Sequence, residues 1–293
     1  MKHLVHLVGG NINYEFGMEH FVAKALYAEG ALGVATSYRT MTQSRNSLRI
    51  RDLKADILLV LKGEILDPLA IYSAPRYTVF WYQDDVLSKE DSKNDMWRLG
   101  WAFDKVYSFD KHAKQAYSAL GVRNVDWLPL AADPELHHPV KADKQEYDIG
   151  FVGQPFAKRI NLFNKLLKRY KKHFFGVSYQ DYATIVAHTK VNLNVGMGDS
   201  GTQQRVYEVL AMGGFLVTNN LVDDEKLFED GVHLRYFDNV EHLCELIDYY
   251  LVHDEEREKI AQQGREEVLA KHTYRHRVRK ILEDAEKWFS EHS

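Results

Sequence analysis

The feature that most constrains this chain is an alternation that runs, breaks once and restarts. Short apolar runs recur at HLVHLV (3–8), ADILLVLKG (55–63), YTVFWYQ (77–83), DKVYSF (104–109) and NVDWLPL (124–130). Between some of them lie stretches with apolar residues at helical spacing, such as FGMEHFVAKALYAEG (16–30) and HAKQAYSALG (112–121). Runs of this kind suit strands buried on both faces, and the helices between them supply the cover of a parallel sheet. From 133 to 147 the pattern stops. DPELHHPVKADKQEY is polar, holds two of the six prolines and has no apolar period, so it reads as a linker.

The alternation then resumes. YDIGFVG (147–153), HFFGV (173–177), KVNLNV (190–195) and GFLVT (214–218) read as strands, with amphipathic helices between them and a long helical C-terminus broken near His272 and Thr273. The fold class is therefore α/β: two doubly wound units, 1–138 and 139–275, with a ligand expected in the cleft between them. The last segment, 276–293, is expected to pack back on the first unit as a helix. A chain of 293 residues, 45% of them hydrophobic, is long enough to bury two such cores.

Other classes are excluded on chemistry. The formal net charge of -4 argues against a general nucleic-acid binder. The single cysteine, Cys244, rules out an internal disulfide framework, and its helical spacing in EHLCELIDYY suits a packing thiol. MKHLVHLVGG reads better as a first strand than as a leader, and no run approaches the ~18 apolar residues of a membrane span. The expected location is the cytoplasm. Fourteen histidines include no HExxH and no spacing that places a third ligand, so no metal is expected.

The candidate site follows from strand ends and helix starts. Gly9 and Gly10 close the first strand, but NINYEFG completes no G-x-G-x-x-G, which counts against a dinucleotide enzyme. Their lack of a side chain still lets a ligand approach the backbone there. Lys62 ends another strand, where it can steer an anion. In the second half, Gly153 ends a strand, and Lys158 and Arg159 open the next helix. Cations at a helix start oppose the macrodipole unless an anion lies between them and the backbone amides. Ser200, Gly201 and Thr202 precede a further helix and offer N-cap oxygens and free amides, while Arg205 in its first turn adds a fork for phosphate. Glu208, three residues on, can accept from two vicinal hydroxyls such as those of a ribose. The alternative is a local Arg205–Glu208 ion pair.

These residues resemble a known family. YDIGFVGQPFAKR, KVNLNV, RVYEVLAMGGFLVT, LFEDGVHLRYF and HTYRHR look like the C-terminal donor domain of group 1 glycosyltransferases of the GT-B fold, and most resemble the CgeB-like, spore-maturation group. VLKGEIL, VFWYQDD, KVYSFDK and DWLPLAADPELHHP extend the resemblance over nearly the whole chain. It implies two Rossmann-like domains and a nucleoside diphosphate sugar, a UDP-sugar foremost, as co-substrate with no further cofactor. It also implies that Glu208 reads the ribose, that Arg205 lies near the phosphates, and that the donor is contacted after Gly153 and at Gly176 and Val177. Many group 1 enzymes carry E-x-x-x-x-x-x-x-E. Here the first of those positions is Ser200, so the pattern is incomplete.

Transfer to a hydroxyl by an inverting route also needs a base. Asp84 and Asp85 close the VFWYQDD strand; neighbours on a strand point opposite ways, and Asp85 is preferred. Glu15 in the NYEFG loop is a second candidate. QDD is not D-x-D, so metal dependence is not implied. The expected acceptor is a glycan or small molecule. A hydroxylated base in nucleic acid, or a binding module without turnover, are the competing readings.

Overall fold

The computed structural model describes residues 3–40, 55–62, 66, 68–72, 77–83, 99–154, 157–196, 202–219 and 227–293. The chain divides into two compact units, one formed by Met1–Pro129 with Tyr274–Ser293 and the other by Leu130–Thr273. The boundary falls before the polar segment rather than within it. The reason is local: the amide of Ala132 donates to the His272 carbonyl at 3.0 Å, and Ala132 bridges Thr273. The start of the presumed linker is therefore already stitched into the second unit.

In the first unit, β1 (Val5–Gly9), β2 (Leu32–Ser37), β3 (Ile57–Leu61), β4 (Tyr77–Tyr82), β5 (Lys105–Ser108) and β6 (Val125–Trp127) form one parallel sheet in the order β2-β1-β3-β4-β5-β6. Every residue of β1, β3 and β4 is buried, whereas most of the edge strand β2 is half-buried. Around the sheet lie α1 (Met18–Ala28), α2 (Pro68–Tyr72) and α3 (Ala113–Ala119). The indole of Trp81, fully buried on β4, donates to the Leu128 carbonyl at 3.1 Å, which satisfies its one polar atom. The last helix belongs to this unit: Tyr274 packs on Phe21 of α1 with ring centroids 5.4 Å apart, and Arg275 and Arg279 both reach Glu29.

The second unit holds β7 (Tyr147–Val152), β8 (His173–Gly176), β9 (Thr189–Asn194), β10 (Leu216–Asn219) and β11 (Arg235–Phe237), all parallel in the order β11-β10-β9-β7-β8. Its helices are α4 (Ala157–Arg169), α5 (Tyr182–Ala187), α6 (Gln204–Ala211), α7 (Val240–Tyr250) and α8 (Asp254–Lys271); the helix of the first unit that follows, Tyr274–Glu291, is α9. Ile149, Phe151, Val191, Leu193 and Val217 of the strands meet Phe163, Leu166, Leu243 and Ile247 in one core, and Cys244 packs against it half-buried. Because the chain leaves β7 for β8 on one side and returns to β9 on the other, the strand order reverses between β7 and β9. Open α/β sheets bind ligands at the carboxyl ends of such strands. Among the described residues no helix is long and apolar enough to cross a membrane.

Candidate functional site

Two arginines cross this reversal point. Arg205, in the first turn of α6, donates through Nε to the Val152 carbonyl at the end of β7 (2.6 Å) and through Nη1 to Oδ1 of Asn194 at the end of β9 (2.8 Å). Arg159, near the start of α4, donates through Nε to the Val195 carbonyl just past β9 (2.7 Å) and through Nη1 to the Gln154 carbonyl just past β7 (2.9 Å). Both guanidiniums lie over the ring of Phe151, Arg205 at 4.3 Å and Arg159 at 5.1 Å from its centroid. Gly153 makes room for this, because a Cβ there would collide with Nη2 of Arg205. Its amide donates to the Gly176 carbonyl at 2.7 Å, which aligns the ends of β7 and β8; Val177 follows, exposed.

Two like charges over one ring is an unfavourable arrangement by itself. Burial and, second, the charge of Arg205 pull the Arg159 pKa down to about 10. Among the described residues no carboxylate pairs with Arg205, which is held only by neutral oxygens. The cationic edge is extended by the amino end of α6, where the amides of Gln204 and Arg205 have no partner within the helix. Here the structure corrects one expectation. The N-cap is Gln203, with no side-chain cap, and Thr202 lies one residue earlier, buried, so it does not cap the helix. Ser200 and Gly201 lie outside the described residues, and of Lys158 only the backbone, in α4, is described.

Arg205 and Glu208 do not pair with each other. Glu208 turns the other way: its Oε1 accepts from Nε2 of Gln204 at 2.7 Å and lies 3.5 Å from Nε2 of His137. The Tyr182 ring meets His137 edge-on, 6.5 Å between centroids. Its hydroxyl is buried without a hydrogen-bond partner, and burial followed by the charge of Glu208 pushes its pKa well above the ordinary phenol value. Sequence reasoning missed His137 and Tyr182. His137 sits in the polar DPELHHP segment and reads as a surface or packing histidine, yet it is 3% exposed. The available signal was Asp-Pro opening a turn: Glu135 N donates to Oδ1 of Asp133 and His137 N to the Asp133 carbonyl.

In the first unit Gly9 and Gly10 stand where side chains of the same unit pack close. A Cβ on Gly9 would stand 2.7 Å from Cγ of Glu19, and one on Gly10 would stand 2.9 Å from both Nε of Arg39 and the Tyr38 hydroxyl. The space that a side chain would take at the end of β1 is thus filled by this chain's own side chains. Glu19, which the sequence did not single out, is 4% exposed and accepts from the amide of Asn11 at 3.3 Å. Glu15 is exposed in the turn before α1. Lys62, just past β3, has φ +65, a left-handed conformation that costs a non-glycine residue ~1–3 kcal/mol. One strand over, Gln83 follows β4 with neither amide atom hydrogen-bonded. Asp84 and Asp85 lie outside the described residues. No group of three His, Cys, Asp or Glu side chains that could hold a metal occurs among the described residues.

Comparison with known proteins places this geometry. The model of the glycosyl transferase-like family matches residues 134–283, just over half of the chain. No curated protein gives a significant sequence match. Among solved structures, Alr3699/HepE of Anabaena, in complex with UDP and glucose, superposes with a TM-score of 0.75 at 13% identity, covering 97% of this chain and 100% of that one. Sucrose-phosphate synthase of Thermosynechococcus elongatus gives 0.68 at 12% identity, covering 98% and 99%. An alpha-glucosyltransferase in complex with UDP and a 13-mer DNA gives 0.72 at 10% identity, covering 97% and 99%. At these identities the likeness establishes the fold: two Rossmann-like parallel-sheet units of the GT-B type.

Proposed function

The chain belongs to the glycosyl transferase-like family, and from that premise we propose that Leu130–Thr273 binds a nucleoside diphosphate sugar and that the protein transfers its sugar to a hydroxyl acceptor. The observation that carries this reading is the pair Arg159 and Arg205, crossed over Phe151 at the reversal point of the sheet. Two guanidiniums, that of Arg159 buried and that of Arg205 half-buried, beside the amides of a helix start, match the charge and shape of a diphosphate. In the transfer step that diphosphate leaves with growing negative charge, and preorganised donors stabilise it without reorganising. Glu208, one turn along the same helix, is then at the distance of a ribose.

UDP is the nucleotide we favour, supported by its presence in the HepE and alpha-glucosyltransferase complexes. The acceptor in this reading is a glycan or small molecule, and Asp85, Asp84 or Glu15 supplies the base if the reaction inverts. The CgeB-like group is the finer assignment, supported by the order of the motifs from YDIGFVG to HTYRHR.

The test is a thermal-shift panel of UDP, GDP, ADP, CMP and TDP with their sugar conjugates, followed by transfer of labelled sugar to candidate acceptors. Ligand at ~100 times Kd stabilises the native state by roughly 2.7 kcal/mol. One nucleotide standing out, with turnover of its conjugate, supports the reading. A flat panel at millimolar ligand would sink it. Binding without hydrolysis or transfer to any acceptor would leave a binding module, and product on a DNA acceptor, weakened steeply by salt, would replace the glycan assignment.

A further inference from the structure

Oε1 of Glu208 takes the Gln204 amide at 2.7 Å and faces Nε2 of His137 at 3.5 Å, and the buried Tyr182 hydroxyl stands beside the same carboxylate outside good hydrogen-bonding geometry. The identity of the proton on His137 follows from its other nitrogen. Nδ1 accepts from the backbone amide of Asp133 at 3.1 Å, so it carries no proton, and in the neutral ring the proton must sit on Nε2, the atom that faces Glu208. The turn that fixes the ring is itself fixed, by the Asp133 carbonyl accepting from His137 N at 2.7 Å and by the side chain of Asp133 accepting from Glu135 N at 3.0 Å. A backbone amide, a buried imidazole and a carboxylate oxygen thus stand in sequence.

We propose that His137 is the positioning residue of this site: with Gln204 it occupies one oxygen of Glu208, leaving the other oriented to accept the vicinal hydroxyls of a ribose, so that the site selects ribonucleotides over deoxyribonucleotides. This rests on the ribose reading of Glu208. An unheld carboxylate would rotate and present either oxygen; the doubly held one presents a single acceptor in a fixed direction, and the ordering cost is met in the fold rather than on binding. The buried Tyr182 hydroxyl beside it, kept protonated by burial and by the charge of Glu208, closes the pocket with a donor and adds no competing acceptor charge.

Two substitutions separate holding from packing. Glutamine places its amide nitrogen where Nε2 of histidine lies, so His137→Gln keeps the donor to Glu208. Asparagine reproduces only the Nδ1 side, so His137→Asn keeps the acceptor for Asp133 N and loses that donor. Calorimetric titration of the full chain with UDP, GDP and ADP, each against its 2′-deoxy counterpart, reads the ratio of the two affinities. The wild type should favour the ribonucleotide about tenfold, the worth of one hydrogen bond to a charged group near the low end of its range. His137→Gln should stay within about twofold of that ratio, and His137→Asn should bring it to about twofold or below.

A role confined to packing would lower both affinities together and leave the ratio unchanged, which would overturn the proposal. Equal wild-type affinity for the ribo and deoxy forms would overturn it as well. Failure of all three diphosphates to bind the wild type would instead bring down the sugar-nucleotide reading, and this inference with it. If His137→Asn does not fold, the ring tautomer of the wild type, read from nitrogen–proton correlations, decides: an Nε2–H signal supports the proposal and an Nδ1–H signal overturns it.

Discussion

The Arg205 guanidinium occupies the space that a side chain at Gly153 would need. One residue follows strand β7 and the other lies in the first turn of helix α6, so the close fit joins the strand end, the helix start and the charge they present. The backbone asks for a glycine there as well, since Gly153 has φ +153, a conformation that side-chain-bearing residues rarely adopt.

Gly153→Ala is therefore expected to displace Arg205 from Val152 and Asn194. The expected cost is ~1–3 kcal/mol of stability, in the range of a lost buried network, with UDP affinity reduced at least tenfold. Urea denaturation and calorimetry measure the two. Retention of full UDP affinity would show that the guanidinium does not meet the phosphates.

Arg205→Lys keeps the charge but not the fork, and an ammonium cannot reach both Val152 and Asn194 while also facing a ligand. Affinity for UDP should fall by about tenfold or more, with affinity for uridine unchanged. Parallel losses for UDP and uridine would move Arg205 away from the diphosphate.

Tyr182→Phe removes a buried hydroxyl that stands beside Glu208 outside good hydrogen-bonding geometry. The ligand-free protein should be as stable as the wild type or more stable by ~1 kcal/mol, because a polar atom without a partner is a burden in the core. Chemical denaturation checks this. A loss beyond ~1 kcal/mol would mean the hydroxyl is satisfied in solution.

His6, on the central strand β1, is 2% exposed, and burial pulls its pKa from 6.5 to about 4. The unfolded chain takes up the proton below 6.5 and the folded one only near 4. Stability is therefore full above pH 6.5 and is lost as pH falls through that window, by roughly 3 kcal/mol from this group. His6→Gln should flatten the profile between pH 6.5 and 4, as read from denaturation midpoints. An unchanged slope would assign the acid sensitivity elsewhere.

Most strands were legible because parallel strands covered on two faces are apolar at nearly every position, as ILLVL and YTVFWY are, whereas the short edge strand β11, RYF, carries no such run. Arg159 was singled out with Lys158 at one helix start, where local energetics disfavour cations, and Arg205 at another; that Arg159 and Arg205 meet over Phe151 was not legible, since it depends on the fold. His137 was not, since its partner is Glu208, far along the sequence, and nothing in DPELHHP points to it. Glu19 was hidden for the opposite reason: an acid in a first helical turn is ordinary, and only the packing of Glu19 on Gly9 reveals that it is buried. The cap of α6 was misplaced by one residue because Thr202 has the usual capping chemistry and Gln203 does not, yet the backbone turns at Gln203.

The division of the chain at Pro129 and again at Tyr274 has a consequence for its synthesis. On the ribosome, at ~5–20 residues per second, the first unit waits roughly seven to thirty seconds for its helix α9 while Leu130–Thr273 is made. During that interval the face of α1 that later receives Tyr274, and the carboxylate of Glu29 that later receives Arg275 and Arg279, are without their partners. The contiguous second unit can finish first. The unit that is begun first is completed second, so the nascent protein passes through a stage in which one unit is whole and the other still depends on Tyr274–Ser293.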